Sequence, residues 1–548
     1  MYPVIRQDDN TSIAFLDRPE GYHTWPLCVL LLCFSFILWL NIRAHGWQKL
    51  LVFALAITHG RVTFTLTCGS AMRSTVSETV DIPQEGEVMI TDDKCPCEGD
   101  FVRYGPNSLM VNTANGLQDI YGHGKSFKKS QIYAAMVHRA PNTLTVIDKK
   151  KHGKKRRVIS QGFSDAALRN HEVTILEQIR HLCTQLGGGE NGQEVPVGAW
   201  SPPKDMARLT DYFTFDVMSN IIFGVPWSTL RSPRYRFVPE VIEKSNVRVG
   251  TLTQAPQLSF LRLDKLLFPD AIRARNIFIR FVDEMLAQGI EAAGKTGKGV
   301  FAFLTKAKDP ETGQPLRMRE LGGESATLIV AGTDTTSTAL SACFFYLSRN
   351  PSACERATAE VRSTFQSSDD IRMGPLMNKC VFLRACIDES MRMSPSAASS
   401  LWRESEDAGA TIDGQYIPPG IDVGTCIYSI HHNPVYYPQP FSFRPERWID
   451  TEASKVQGDV SLARSVFNPF SVGPRSCIGK GLAYVELHLA LAHILWAFDF
   501  RLAPGKLGRT GEGKEDGEFG RHRVDEYQLW DHLTAAKEGP YLEFSPIL

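Results

Sequence analysis

The sequence predicts a mainly α chain with small β-sheets, preceded by one N-terminal transmembrane helix. Three observations carry that reading. Apolar residues recur at helical spacing in several stretches, one of them near 30 residues long. Strand-forming residues sit in short runs broken by turn signals. One uncharged run of 18 residues lies close to the N-terminus.

The totals bound the class. A chain of 548 residues holds several average domains or one large one. Lys plus Arg equals Asp plus Glu at 60 each, so no global charge argues for nucleic acid. The 12 cysteines scatter without a disulfide-framework spacing. Cys95-Pro96-Cys97 has no second pair to complete a zinc site and reads as incidental. Most of the chain then belongs in a reducing compartment.

Residues 1–24 form an acidic-leaning tail, with Asp8, Asp9, Asp17 and Glu20 against Arg6 and Arg18. Trp25 to Ile42 carries no charge and is just long enough to span a bilayer core, with Trp25 and Trp39 near its ends. Arg43, His45 and Lys49 follow, so the positive-inside rule puts the tail in the lumen and the remainder in the cytosol. A cleaved signal peptide is the competing reading. Against it, the run starts late and has neither a basic n-region nor a clear cleavage site. Asn10-Thr11-Ser12 is a glycosylation sequon on the lumenal side. Leu50 to Ile57 is apolar but too short to span, and residues 43–100 read as a connector.

Phe101 to Val111 has strand residues around a Gly105-Pro106 turn signal. Lys149 to Arg157 is the most basic run and continues into Val158–Leu168, which looks helical. His152 and Arg156 are four apart and share one helix face, suited to an anionic group. The remaining lysines suit an acidic protein partner, and a solvated face is the plainer alternative. Leu209–Phe223 reads as a core helix stopped by Gly224. Residues 225–265, with several prolines, read as a loop-rich connection, and Phe268–Ala293 as a helix with Pro269 in its first turn.

The longest helical stretch, about Arg317 to Ser348, has Ala331-Gly332-Thr333-Asp334-Thr335-Thr336 at its centre. Gly, Asp and three Thr are poor interior helix residues, which suggests local strain accepted for function. Gly332 has no side chain, so a planar ligand can lie against the backbone there. Asp334 and Thr335 offer an acid and an alcohol side by side, suited to passing protons. A polar helix face in water is the alternative.

Glu389-Ser390-Met391-Arg392 spaces an ion pair at i, i+3. Arg447, in Pro445-Glu446-Arg447-Trp448, can complete a Glu–Arg–Arg cluster that serves register more than stability. Between them, small residues 396–401 lead to Trp402-Arg403, and the His431-His432 pair reads as structural. Near the end comes Phe470-x-x-Gly473-x-Arg475-x-Cys477-x-Gly479. Arg475 can supply the positive charge that lowers a cysteine pKa, and Gly473 and Gly479 let the backbone fold tightly around the sulfur. A helix beginning after Gly479 adds its N-terminal dipole. These features point to a thiolate ligating a haem iron, against the plainer reading of a buried free cysteine.

Four stretches in this order resemble the cytochrome P450 haem-thiolate monooxygenases: Ala331–Thr336, Glu389–Arg392, Pro445–Trp448 and Phe470–Gly479. The resemblance covers about 101–548, and the closing segment Ala535–Pro546 looks like that family's last hairpin. With the anchor, the chain is most similar to fungal microsomal members of secondary metabolism. The resemblance implies the P450 fold and haem b with Cys477 as the iron's axial ligand. It places Arg475, Arg403, His152 and Arg156 towards the haem propionates, with Phe470 and Gly332 also against the haem. Asp334 and Thr335 match the oxygen-activation pair, and Glu389, Arg392 and Arg447 the structural triad. It further implies O2 as co-substrate and electrons from NADPH–cytochrome P450 reductase. A hydrophobic small-molecule substrate, contact with membrane lipid, no nucleic acid, and an endoplasmic reticulum address with the catalytic domain in the cytosol complete it. Residues 58–100 depart from the family pattern of a proline-rich hinge and first strands. An isomerase, dehydratase or oxidative-coupling member without net oxygen insertion is the alternative activity.

Overall fold

The computed structural model describes residues 100–547, except 138–139, 190–192, 297–298, 307–312, 314–315 and 451–458. The lumenal tail with Asn10, the 25–42 span and nearly all of the connector lie outside the described residues. Among the described residues, no helix is long and apolar enough to cross a membrane.

Strands β1 (Phe101–Gly105) and β2 (Ser108–Val111) form the hairpin turned at Pro106-Asn107. Helix α1 (Ala114–Tyr121) starts at Thr113, whose hydroxyl accepts from the Gly116 N–H. After β3 (Phe127–Lys129), helix α2 (Lys149–Ile159) is capped by the Asp148 carboxylate and α3 (Asp165–Leu186) by Ser164. The expected continuous helix through 168 breaks here, because a tight turn at Ser160–Phe163 lets Gly162 sit against Val300.

The two-residue strand β4 (Lys204–Asp205) leads into α4 (Met206–Phe223), closed by left-handed Gly224. Residues 225–265 are not mainly loop. Helix α5 (Phe237–Gln254) occupies their centre. Pro239 lies in its first turn, where a missing N–H loses no hydrogen bond, and Pro233 and Pro256 lie outside it. The prolines bound the helix instead of breaking it. Helices α6 (Pro269–Thr296), α7 (Gly299–Lys306), α8 (Met318–Arg349), α9 (Pro351–Thr364) and α10 (Val381–Met393) follow.

Helix α8 runs through the core and packs most extensively on α4. From Thr336 to Leu347 every residue of α8 is buried, so this half has no water-facing side. Several of its hydroxyls find partners inside the protein: Ser341 shares a hydrogen bond with Thr210 (2.8 Å), and Thr338 donates to the Asp334 carbonyl (2.8 Å).

Strands β5 (Arg403–Ser405), β6 (Ala410–Ile412), β7 (Gln415–Ile417) and β8 (Asp422–Gly424) come next. Five strands form one sheet in the order β1-β2-β8-β5-β3. Its β3–β5 edge is antiparallel and sets Lys129 opposite Arg403. The chain ends with α11 (Lys480–Ala497), β9 (Phe498–Leu502), β10 (Leu529–His532), β11 (Thr534–Lys537) and β12 (Tyr541–Pro546). The segment 535–546 does not make a single hairpin. β11 pairs back onto β10, whereas β12 crosses to lie between β4 and β9.

Candidate active site around Cys477

The loop before α11 is closed by a hydrogen bond from the Cys477 N–H to the Phe470 carbonyl (2.8 Å). Gly473 has φ +70°, and a Cβ there would collide with the Tyr121 carbonyl, so only glycine closes the loop. Gly479 is different. Its φ is −87°, and a Cβ would make an ordinary 3.8 Å contact with Cys477 Sγ. Cys477 keeps accessible surface although protein surrounds it deeply, so its sulfur faces interior space. Burial pushes its thiol up. The Gly479 and Lys480 N–H groups and the Arg156 and Lys480 charges pull the other way.

The cations beside the sulfur are therefore Lys480 and Arg156, the latter donating from α2 to the Ser476 carbonyl (2.6 Å). Arg475 turns away to donate to the carbonyls of Val146 (2.6 Å) and Ile147 (2.8 Å). Phe470 packs on Tyr484 with ring centroids 5.2 Å apart.

Arg475 belongs to a second group. His152, Arg403 and Lys129 are all buried, and all lie near enough to act on one another. Burial, then Arg475, Lys129, Arg156 and Arg403, push the His152 pKa down to about 3, so it is neutral. Arg403 donates to the Leu401 (2.9 Å) and Trp402 (3.1 Å) carbonyls, and Lys129 to the Leu144 carbonyl. Among the described residues, none of Lys129, Arg156, Arg403 and Arg475 is ion-paired to a carboxylate. Sequence reading missed Lys129, which lies in no motif and joins the group only through the β3–β5 pairing.

On α8, Asp334 and Thr335 do not act side by side, because adjacent helix residues point about 100° apart. The Thr335 hydroxyl donates back to the Ala331 carbonyl (2.6 Å), and the Thr335 carbonyl accepts from Ser396 Oγ (2.7 Å). Ala331 is exposed although it sits mid-helix beyond buried Leu328 and Ile329, so this flank borders open space. Asp334 points elsewhere. Its Oδ2 accepts from Asn246 Nδ2 of α5 and from Thr534 Oγ1 of β11, both at 2.9 Å.

Burial first, then Asp211, raises the Asp334 pKa to about 7, while Lys537 and Thr534 oppose the rise. Lys537 is itself buried and bonds Asp211 (2.6 Å) and Ser337 (3.0 Å). A cavity of about 10 Å³ between Asp211, Glu243, Asp334 and Lys537 has room for roughly one water. Asn246, Thr534 and Lys537 carried no sequence signal, since they come from separate elements.

Gly332 is not a platform for a planar ligand. A Cβ there would collide with Met218 Sδ and Cε, so its missing side chain admits α4.

Glu389, Arg392 and Arg447 meet as a cluster. Arg392 makes two 2.9 Å bonds to Glu389, and Arg447 Nε adds a third at 2.9 Å. Trp448 Nε1 (3.0 Å) and the Arg444 N–H (3.0 Å) complete the carboxylate's shell, and Arg392 also donates to the His431 carbonyl (2.8 Å). Burial resists ionisation of Glu389, yet Arg392 and Arg447 hold its pKa below the ordinary value. His431 and His432 serve packing: the first accepts from the Asn468 N–H, and the second stacks on Tyr428.

Fold and site together define a class: largely helical proteins with a cysteine loop ahead of a helix that packs on a long central helix. The cytochrome P450 family model matches residues 102–522, and the chain belongs to that family. It is a cytochrome P450 monooxygenase. It is 55% identical over 453 residues to cytochrome P450 monooxygenase atnE of Emericella nidulans, covering 82% of this chain and 85% of that one. A cytochrome P450 monooxygenase of Gibberella zeae is 49% identical over 78% of this chain and 97% of its own. Cytochrome P450 monooxygenase AKT7 of Alternaria alternata is 43% identical over 81% and 85%. Among solved structures, the heme domain of cytochrome P450DA shares the fold with a TM-score of 0.59 at 19% identity, over 80% of this chain and 88% of that one.

The family implies a haem with thiolate-bound iron, and the residues present fit one. A thiol faces interior space, and beside it lies a group of cations that, among the described residues, forms no ion pair with a carboxylate.

Proposed function

We propose that this chain hydroxylates a hydrophobic small molecule, an intermediate of fungal secondary metabolism, using O2 and electrons from NADPH–cytochrome P450 reductase. The observation that carries the reading is Cys477: a thiol open to the interior, with Arg156 and two N–H groups aimed at its anion. The fungal origin of the relatives supports the metabolic setting. Cys477 would hold the haem iron, and Arg403, Arg475, Arg156 and neutral His152 would receive the haem edge that bears the carboxylates. Bound there, haem supplies the activation of O2 that side chains lack.

The chain's own residues manage protons and access. A pKa near 7 lets Asp334 hold or release a proton at working pH, and Asn246 and Thr534, both donating to Oδ2, leave Oδ1 as the oxygen that carries it. Thr335, on the flank beside exposed Ala331, presents an alcohol to the reacting side. Tyr133, Met136 and Val249 cluster with Leu533 at the tip of the β10–β11 hairpin, an apolar wall suited to a hydrophobic substrate. Lys150, Lys151 and Arg157 lie exposed on α2 and suit an acidic reductase surface. The 25–42 span would tether this domain to the endoplasmic reticulum membrane.

The test is expression with a reductase and metabolite profiling over candidate substrates. The expected result is a product one oxygen heavier that forms only with NADPH and reductase. Product formation without either would overturn the reading in favour of a rearrangement.

A further inference from the structure

The small cavity beside Asp334 is walled by three elements that meet over α8. Asp211 comes from α4, Glu243 and Asn246 from α5, and His532, Thr534 and Lys537 from the β10–β11 hairpin. A volume of about 10 Å³ takes roughly one water, which needs polar partners on several sides. The walls supply them. Asn246 and Thr534 both donate to Asp334 Oδ2, which leaves Oδ1 for the cavity. Lys537 spends two of its three donors, on Asp211 (2.6 Å) and Ser337 (3.0 Å), and keeps one. His532 Nδ1 is buried with no hydrogen-bond partner among the described residues. Glu243 is the member of the wall that reaches outside. Its side chain is 37% exposed, against 5% for Lys537 and 8% for Asp211. Arg208 pairs with both Glu243 (3.5 Å) and Asp211 (3.6 Å), tying the outer acid to the inner one. One turn along α5 from Asn246, a Cβ on Gly250 would collide with the His532 backbone, so helix and hairpin close directly on each other there.

We infer that Glu243 is the proton port of Asp334: it takes a proton from bulk water and passes it, through one water in the cavity, to Asp334 Oδ1, while Lys537 is the positioning residue that holds that water. This rests on the monooxygenase reading, which makes a proton supply necessary. Converting O2 into one product hydroxyl and one water consumes two protons and two electrons, and the electrons come from the reductase. In each transfer the Glu243 O–H breaks as an O–H forms on the water, and a water O–H breaks as one forms on Oδ1. The water is regenerated, and the Glu243 carboxylate recovers its proton from solvent. The charged groups of all three walls set the working range. Burial first, then Asp211, raises Asp334 to about 7, with Lys537 and Thr534 opposing. Burial also raises Glu243; Arg208 and Lys537 oppose that rise, and Asp211 and Glu240 add to it. Burial lowers His532 to about 4, so it stays neutral. Both acids of the relay are thus shifted towards working pH, and neither traps the proton.

The test uses the holoenzyme with reductase and the substrate found by profiling, following product and NADPH across a pH series in H2O and in D2O. Glu243→Gln should lower kcat about tenfold to a hundredfold with KM within about twofold, and it should raise both the solvent isotope effect and the NADPH spent per product. Glu243→Asp should recover most of that loss. Lys537→Met should move the midpoint of the kcat profile above the parent's, because the charge that opposes the rise of Asp334 is gone. Glu240→Gln, on the same helix but outside the cavity wall, should match the parent. The carbon monoxide difference spectrum should be the same in every variant, which separates the relay from loss of haem or fold. Unchanged turnover, NADPH use and isotope effect in Glu243→Gln overturn the inference. Equal losses in Glu243→Gln and Glu240→Gln also overturn it, since lost charge on α5 would then be the cause. Should Lys537→Met fail to fold, the Glu243 variants decide alone. If the parent itself forms product without NADPH, the monooxygenase reading fails, and the relay falls with it.

Discussion

Two buried charge clusters sit within the same fold and follow different rules. The Glu389–Arg392–Arg447 cluster carries its own acid, and that acid is fully bonded by two arginines, a tryptophan and a backbone N–H. Among the described residues, the Lys129–Arg403–Arg475 group forms no ion pair with a carboxylate, and each cation leans on backbone carbonyls. Buried charge is tolerated where it is paired and hydrogen-bonded. The first cluster meets that condition with protein atoms only, so its work is to fix how α10 meets the 445–448 turn. The second does not, and an imbalance of that kind marks a place prepared for something from outside.

The comparison can be broken outright at Cys477. Cys477→Ala should abolish haem binding, measured by the carbon monoxide difference spectrum of the reduced protein. Without bound haem the cation group has no dianion to receive. Next in size, Glu389→Ala strips the paired cluster of its acid and leaves two buried arginines opposed. It should destabilise the fold by about 3–5 kcal/mol, read by denaturant unfolding. Arg403→Met should do the reverse in the haem-free protein, leaving its midpoint unchanged or higher because a like-charge contact disappears. In the holoprotein the same change should speed haem loss about tenfold. Parallel losses from both variants in haem-free protein would show that the two clusters do not differ.

Asp334 gives a smaller effect that varies with pH. Its folded pKa is raised, so its favourable contribution is full below the unfolded value near 4 and is lost as pH rises through about 7. Asp334→Asn should flatten the stability profile across that window, followed by thermal melts in a pH series. Gly332→Ala should cost about 1–3 kcal/mol by crowding Met218, and it should leave the haem spectrum unchanged.

The sequence was most legible where function is written locally. The cysteine loop falls within one short run, and residue type with spacing was enough to single it out, whereas Glu389-x-x-Arg392 gained weight only from Arg447 in the Pro445–Trp448 run. It failed where contacts join distant segments. Lys129 and Arg403 meet only because β3 and β5 pair. Asn246 and Thr534 reach Asp334 from α5 and β11. A missing side chain is also ambiguous in sequence: Gly332 looked like room for a ligand, and the room belongs to Met218. Arg475, two residues from Cys477, looked like the nearer charge, but it turns to the Val146 and Ile147 carbonyls and α2 delivers Arg156 instead. The prolines of 225–265 misled for a related reason, since their meaning depends on where the first helical turn begins.

The position of β11 and β12 after the cysteine loop in the chain also bears on the order of assembly. Synthesis proceeds from the N-terminus, and parts fold as they emerge. Helix α8 and its acid leave the ribosome before Thr534, which holds that acid, and before β12, which lies between β9 and β4. Even the cysteine precedes them. Nascent chains stalled before residue 534 would therefore carry the cysteine loop without the partner that holds Asp334, and they should hold haem less tightly than the full chain.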